Sequence, residues 1–253
     1  MKTILEHNKN SFIIDFNDPL DISIPIMSNG VCAWGVDQLK IEPHIDGLWI
    51  GDVSKGAVVN FNNISFNPHA HCTHTECVGH ISPQKESINS QVKQFFFIAK
   101  LITVLPKKKN SDCVITKNMI ESSFVNNENV DALIIRTLPN NDNKKKKNYF
   151  NSNHPYLVKA AVDYIVDNNI NHILIDLPSI DKEKDEGHLT AHKAFWKFPD
   201  DIRLNCTITE LIYVPDSILD GLYLLNLQFS PFENDASPSR PVLFKLKSIK
   251  HEY

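Results

Sequence analysis

The stretch HPYLVKAAVDYIVDNNINHILIDLP, residues 154–178, carries two periodicities in one run. Leu157, Val158, Ala161, Val162, Ile165 and Val166 recur at the spacing of one helix face, and Pro155 stands where a helix can begin. HILIDLP (172–178) then runs apolar without alternation, as a strand buried on both faces does, and so does DALIIRT (131–137) upstream. Strand, helix and strand in that order predict a βαβ unit with a right-handed crossover, hence an α/β fold.

Working outward, the pattern is mostly β. SFIIDF (11–16), LDISIPI (20–26), LWIGDV (48–53), AVVNFNNISF (57–66) and QFFFIAKLITV (94–104) alternate or run apolar, with Asn, Gly and Pro between them. TKNMIESSF, from Thr116, reads as a short helix capped by its threonine. CTITELIYV (206–214), GLYLLNLQF (221–229) and PVLFKLK (241–247) are again strand-like. With no internal repeat and no linker rich in Gly, Pro or Ser, residues 1–253 are expected to form one mixed α/β domain with a large β portion.

A chain of 253 residues buries roughly three quarters of its unfolded surface, so it needs no metal or disulfide to hold a core. Any metal is then expected to serve function. The formal charge is −4, and the lysine runs Lys107 to Lys109 and Lys144 to Lys147 are flanked by Asn and Asp without interleaved aromatics. They read as solvated loop tips, and no nucleic-acid partner is expected. No segment approaches 18 apolar residues and MKTILEHNKN has no signal-peptide core, so no membrane association and a cytoplasmic location are expected. Five cysteines at irregular spacing suit reduced thiols.

One loop collects the chemistry. NPHAHCTHTECVGH (67–80) holds four of the eleven histidines, two cysteines and a glutamate. Imidazole and carboxylate together suit Zn²⁺, Mn²⁺ or Fe²⁺ with a position left open for water. His74 and Glu76 lie two apart, so on a strand they project to one side, joined by His80 if the backbone stays extended. His69 and His71 have the other parity, so a turn or bulge near Cys72 or Thr73 is needed to bring either of them round. Cys72 and Cys77 match no zinc-finger spacing and read as packing residues. Glu210, inside the β-branched run TITELI, is costly to bury without a partner, and a metal is one such partner.

The run resembles the signature of the cyclase family, which includes bacterial kynurenine formamidases and isatin hydrolase: H-x-G-T-H-x-D-x-P-x-H. Thr73 and His74 match, Glu76 takes the aspartate slot and His80 the last histidine. Cys72 stands where the family has Gly, Val78 where it has Pro, and Ala70 in the slot of the first histidine. An insertion of one residue restores that ligand as His69, the favoured choice, whereas a deletion makes it His71. LDISIPI resembles the family's opening D-x-S-x-P strand, and Trp34 an aromatic that lines the substrate pocket. IIRT, ending in Arg136 and Thr137, IDLPSID, HLTAHKAF with His192, ITEL with Glu210 and NDASPSRPVL follow in the family's order.

The resemblance implies a swivelling β/β/α architecture, a mixed sheet or barrel-like core with flanking helices. It also implies a metal-dependent hydrolase of amide or cyclic amide C–N bonds. His69, His74 and Glu76 would take one ion and His192 a second, with Glu76 and Glu210 bridging; zinc is expected, one or two ions, with Mn as the alternative. His80 would be the catalytic proton shuttle and Trp34 would bind an aromatic small molecule. Aryl formamides of the N-formylkynurenine type, and so a place in tryptophan catabolism, lead. Isatin-like lactams or lactones turned over with a single Mn follow, then a binding protein without turnover. A homodimer or larger assembly is expected from the family. A structural zinc cluster on Cys72 and Cys77 would instead make chelation unfold the protein.

Overall fold

Ala132–Thr137, six residues buried without exception, lies parallel to both Phe96–Val104 and His172–Ile175 in the computed structural model, which describes residues 1–124 and 129–249. Thr207–Glu210 continues the parallel set beside His172–Ile175. The antiparallel His74–Glu76 and Ala236–Lys245 strands follow, and Gly221–Phe229 pairs with both Ala236–Lys245 and Phe96–Val104. Those pairings close seven strands into a mixed barrel, with Leu20–Asp21 added outside on Ala236–Lys245.

The apolar runs serve two cores at once. Leu133, Ile135, Ile173 and Ile175 pack with Ala161, Val162, Ile165, Phe195 and Trp196 of the flanking helices. Their neighbours Ala132, Ile134 and Leu174 turn into the barrel against Leu101, Leu225 and Leu243. Alternation between two apolar environments is why those strands carry no polar period. The helix of the βαβ unit spans Lys159–Asp167, later than its Pro155 suggests. Tyr156–Leu157 instead forms a short strand parallel to Val114 and Ile115. Lys117–Glu121 is the short helix expected after Thr116.

Two departures from expectation bear on the site's surroundings. Lys107–Lys109 is an exposed strand, but the run from Lys144 to Lys147 is more than a solvated loop tip. Lys144 Nζ reaches the buried Asp176 at 2.7 Å and the Thr137 carbonyl at 2.6 Å. Lys145 and Lys147 lie over the rings of Tyr213 and Tyr149, at 4.2 and 4.5 Å from the centroids. Burial pushes the Asp176 carboxyl up, and the Lys144 ammonium opposes that shift. The run thus fastens the 138–149 segment over the carboxyl ends of the parallel strands.

Arg136, buried at the end of its strand, works as a second clamp. Its guanidinium donates to Thr103 Oγ1 (2.8 Å), the Pro215 and Ile218 carbonyls (2.9 and 2.8 Å) and Asp220 Oδ1 (3.0 Å). Arg136→Ala leaves these acceptors without their donor and is expected to lower unfolding free energy by about 3 kcal/mol in a denaturant titration.

Candidate metal centre

The loop reaches its geometry through one helical turn. Asn67 Oδ1 accepts the His69 N–H at 2.9 Å and Pro68 occupies the first helical position, so Pro68–His71 coils once before Cys72 returns to an extended backbone. Thr73 then pins the strand, its Oγ1 donating to the Leu211 carbonyl and accepting the Ile24 N–H at 2.8 Å. The strand His74–Glu76 sets His74 directly opposite Glu210, while Thr75 bonds Thr209 on the other face. Val78–His80 then curls into a 3₁₀ turn. His80 therefore reaches the cluster by a turn and not by strand parity.

Six expected residues converge. His69 Nδ1 lies 3.1 Å from Glu76 Oε2, without the alignment of a hydrogen bond. His74 Nε2 stands 3.9 Å from the same oxygen and 3.6 Å from Glu210 Oε2. His192 Nε2 faces the other oxygens, Glu76 Oε1 at 3.0 Å and Glu210 Oε1 at 3.8 Å. His80 Nδ1 is 3.9 Å from Glu76 Oε2, and its ring stacks on His69 at 4.3 Å between centroids. His71 turns away: its Nδ1 accepts the Asn67 N–H at 2.9 Å, so the loop's turn delivers His69 to the cluster instead. Trp34 touches the edge, its Nε1 donating to the His69 carbonyl at 3.1 Å.

The donor set fits a metal on the structure's own terms. His74 Nδ1 donates to the Cys72 carbonyl at 3.0 Å, which leaves Nε2 as a bare lone pair. Both His74 Nε2 and Glu76 Oε2 are buried with no hydrogen-bond partner among the described residues, a costly arrangement that a cation resolves. Three overlapping triplets, His69/His74/Glu76, His69/His80/Asp235 and Glu76/His80/His192, each gather their ligand atoms within 4.8 Å. Cys72 and Cys77 belong to none of them. Their thiols contact the Pro68 and Glu86 carbonyls, and burial pushes both up to about 12.

Two carboxylates not singled out from the sequence complete the arrangement. Asp181 Oδ2 takes His192 Nδ1 at 2.6 Å, and Asp235 Oδ2 takes His69 Nε2 at 2.9 Å and His80 Nδ1 at 3.2 Å. A carboxylate behind an imidazole fixes the tautomer and aims the opposite nitrogen inward, as in carboxylate–histidine–metal triads. Asp181 closes the quoted IDLPSID segment. Asp235 lies in the quoted NDASPSRPVL stretch, but no spacing ties it to the cluster, since its contact spans 155 residues to His80. Gly79 shows how tightly the His80 turn sits on that loop: a Cβ there would collide with the Glu86 carbonyl.

Protons now hold the cluster's charge balance. Burial alone would lower the imidazoles, yet Asp235 and Glu76 raise His69 to about 10, and Asp181 and Glu76 raise His192 to about 10. Burial would raise Glu76, but the charge of His80, the hydrogen bond from His192 and the close approach of the His69 ring hold it well below the carboxylate range. The raised imidazoles stabilise the metal-free fold fully below the unfolded value of about 6.5, and lose that contribution as pH climbs toward about 10. The expected result is a melting temperature of chelated protein that falls across that window. Zn²⁺ affinity should rise over the same range, with proton release measurable by calorimetry in buffers of different ionisation enthalpy.

The model of the Cyclase family, described as "Putative cyclase", matches residues 20–182. No curated protein matches the sequence. Among solved structures, the chain is similar to one from Bacillus stearothermophilus described as a predicted metal-dependent hydrolase: 20% identity, TM-score 0.61, 90% of this chain and 98% of that one covered. It is also similar to isatin hydrolase A from Labrenzia aggregata, at 12% identity and TM-score 0.61 over 90% of this chain and 93% of that one. A third, an isatin hydrolase bound to the product analogue thioisatinate, shares 14% identity at TM-score 0.61 over 91% and 93%. At these identities the likeness establishes the fold.

Proposed function

The chain belongs to the cyclase family, and from the site its own residues build we propose that it is a metal-dependent hydrolase of amide or cyclic amide C–N bonds. Aryl formamides of the N-formylkynurenine type are the leading substrates, which would place it in tryptophan catabolism. The observation that carries the reading is the pair of bare, buried ligand atoms, His74 Nε2 and Glu76 Oε2, set among four further donors.

His69 Nδ1, His74 Nε2 and Glu76 Oε2 would hold one ion, and His192 Nε2 a second, with Glu76 and Glu210 each turning one oxygen to either place. Zinc suits this donor set and manganese is the alternative; such ions, when bound, acidify water and polarise a carbonyl. The remaining chemistry belongs to the chain. His80 is oriented by Asp235 through Nδ1 and is part-exposed, so its Nε2 is the atom that takes a proton from water and returns it to the leaving amine. Trp34, 36% exposed beside His69, offers the face for an aromatic ring.

The likeness to isatin hydrolases favours a cyclic amide as the second substrate class. The test is hydrolysis of aryl formamides, isatin-like lactams and lactones by protein loaded with Zn²⁺ or Mn²⁺. Turnover of formanilides that chelation abolishes is expected. No turnover of any panel member, and no difference from a His80 variant, would leave a binding protein instead.

A second copy of the chain is the proposed partner. Ile45, Leu48, Val58, Phe61 and Ile64 are all exposed within residues 45–64, and grouped apolar side chains of this kind are what a protein partner covers. Light scattering is expected to give a dimer or larger. Among the described residues no helix is long and apolar enough to cross a membrane, and all five cysteines are free, as suits the proposed cytoplasmic location.

A further inference from the structure

The barrel carries a second set of polar groups, at the end where its parallel strands begin. His172 opens the strand His172–Ile175 and shares the parity of Leu174, which packs inside the barrel, and Phe97 shares that of Leu101. The two rings meet there at 4.1 Å between centroids. With Phe96, Lys93, Arg203 and Asn205 they line a cavity of about 630 Å³, a volume that takes a small organic molecule. Phe96 is 54% exposed, and Lys93 and Asn205 are exposed too, so the cavity opens to solvent. It stands apart from the metal centre: Thr207, beside His172, and Glu210 lie at opposite ends and on opposite faces of one four-residue strand.

Its polar groups keep bonding capacity that the described chain does not use. His172 is 4% exposed and its Nδ1 meets Thr207 Oγ1 at 2.8 Å, while Nε2 has no partner among the described residues and is not sealed from solvent. Burial, helped by the charge of Arg203, pushes the ring down to about 3, so it is neutral at ordinary pH. A hydroxyl can donate to Nδ1, and the ring then carries its proton on Nε2. Arg203 donates to the Phe195 and Ile170 carbonyls (2.9 and 2.7 Å) and to Asn171 Oδ1 (3.2 Å), all of them neutral. Lys93 Nζ likewise donates to the Asn89 carbonyl at 2.7 Å. The one carboxylate on the cavity wall, Asp131, accepts the Ile98 N–H at 3.0 Å. Two cations held by neutral acceptors beside one acid leave the cavity short of negative charge.

We propose that this mouth of the barrel binds an aromatic carboxylate, its ring against Phe96 and Phe97 and its carboxylate between the Arg203 guanidinium and the Nε2–H of His172, with Lys93 adding charge at the rim. The phenylalanines supply flat apolar contact, the guanidinium a charge-assisted donor pair, and the buried imidazole a donor of fixed direction. Because the cavity shares no residue with the metal cluster, the proposal holds whether or not the protein hydrolyses amides.

The test is calorimetric titration of 6-bromo-2-naphthoate into zinc-loaded and chelated protein, with bromine anomalous scattering from soaked crystals to place the ligand. Bromine beside Phe96 and an affinity indifferent to chelation are expected. The neutral 6-bromo-2-naphthamide should bind about 10- to 100-fold more weakly, the worth of a hydrogen bond to a charged group. Asn205→Asp sets a carboxylate on the exposed rim without changing the side chain's shape, and should weaken the naphthoate by about fivefold or more. Arg203→Gln should weaken it further, and Asn205→Asp decides the matter if that variant does not fold. Equal binding of acid and amide, an affinity that Asn205→Asp leaves unchanged, bromine only at the metal centre, or no binding at all would overturn the proposal.

Discussion

His80→Asn is expected to lower kcat/KM for an aryl formamide by about 10²- to 10⁴-fold, the usual contribution of a positioned acid or base. Zinc content and melting temperature should stay close to wild type. Both halves follow from placement: His80 Nδ1 is taken by Asp235 and its side chain is about a third exposed, unlike the buried His74 and His192. His80 also completes two of the three candidate ligand triplets, so the zinc measurement separates its roles. A variant that loses turnover together with a metal ion would make His80 a ligand, and the shuttle would have to be sought elsewhere.

Glu76→Gln should have the larger effect on metal. Its carboxylate is fully buried, and its two oxygens face His69 and His74 on one side and His192 on the other. Replacing it removes one of the two carboxylates shared by both proposed ion positions, and the only one facing His69, His74 and His192 together, so zinc affinity is expected to fall by more than about 100-fold, beyond the loss typical of an outer-shell partner. Turnover should vanish with it. The metal-free protein should lose stability as well, by about 3 kcal/mol or more near pH 7, because the protonated His69 and His192 lose a buried counter-charge. Glu76→Asp, which restores the family's usual residue with an arm one methylene shorter, should bind metal more weakly than wild type but far better than the amide. Calorimetric zinc titration and thermal melts check each of these outcomes.

The elements easiest to read were those whose burial is set by the strand itself. Gly221–Phe229 and Ala132–Thr137 fall on the apolar runs that announced them, because both faces are packed. LDISIPI misled in detail: only Leu20–Asp21 is ladder, although Ile22 and Ile24 are buried. The Ile22 backbone bonds Pro241 and Tyr213 without forming a regular strand, so alternation there records burial and not pairing. AVVNFNNISF yielded only Asn62–Ser65, since Val58, Val59 and Phe61 are exposed and apolar character carried no burial.

At the site, composition exposed His74, Glu76 and Glu210 because carboxylates and imidazoles are out of place in a buried ladder. The choice between His69 and His71 was open in the sequence, because it turns on one helical turn that Asn67 and Pro68 start. Asp235 stayed hidden for a different reason: it meets His69 and His80 across 166 and 155 residues of chain, and a single polar residue in a loop has no period to betray it.

The most direct measurement is anomalous scattering at the zinc edge from crystals of zinc-loaded protein. Two peaks about 3.5–4 Å apart are expected, one among His69, His74 and Glu76 and the other beside His192, with Glu76 and Glu210 between them. A single peak, or zinc on Cys72 and Cys77 with these residues vacant, would contradict the two-ion centre proposed here.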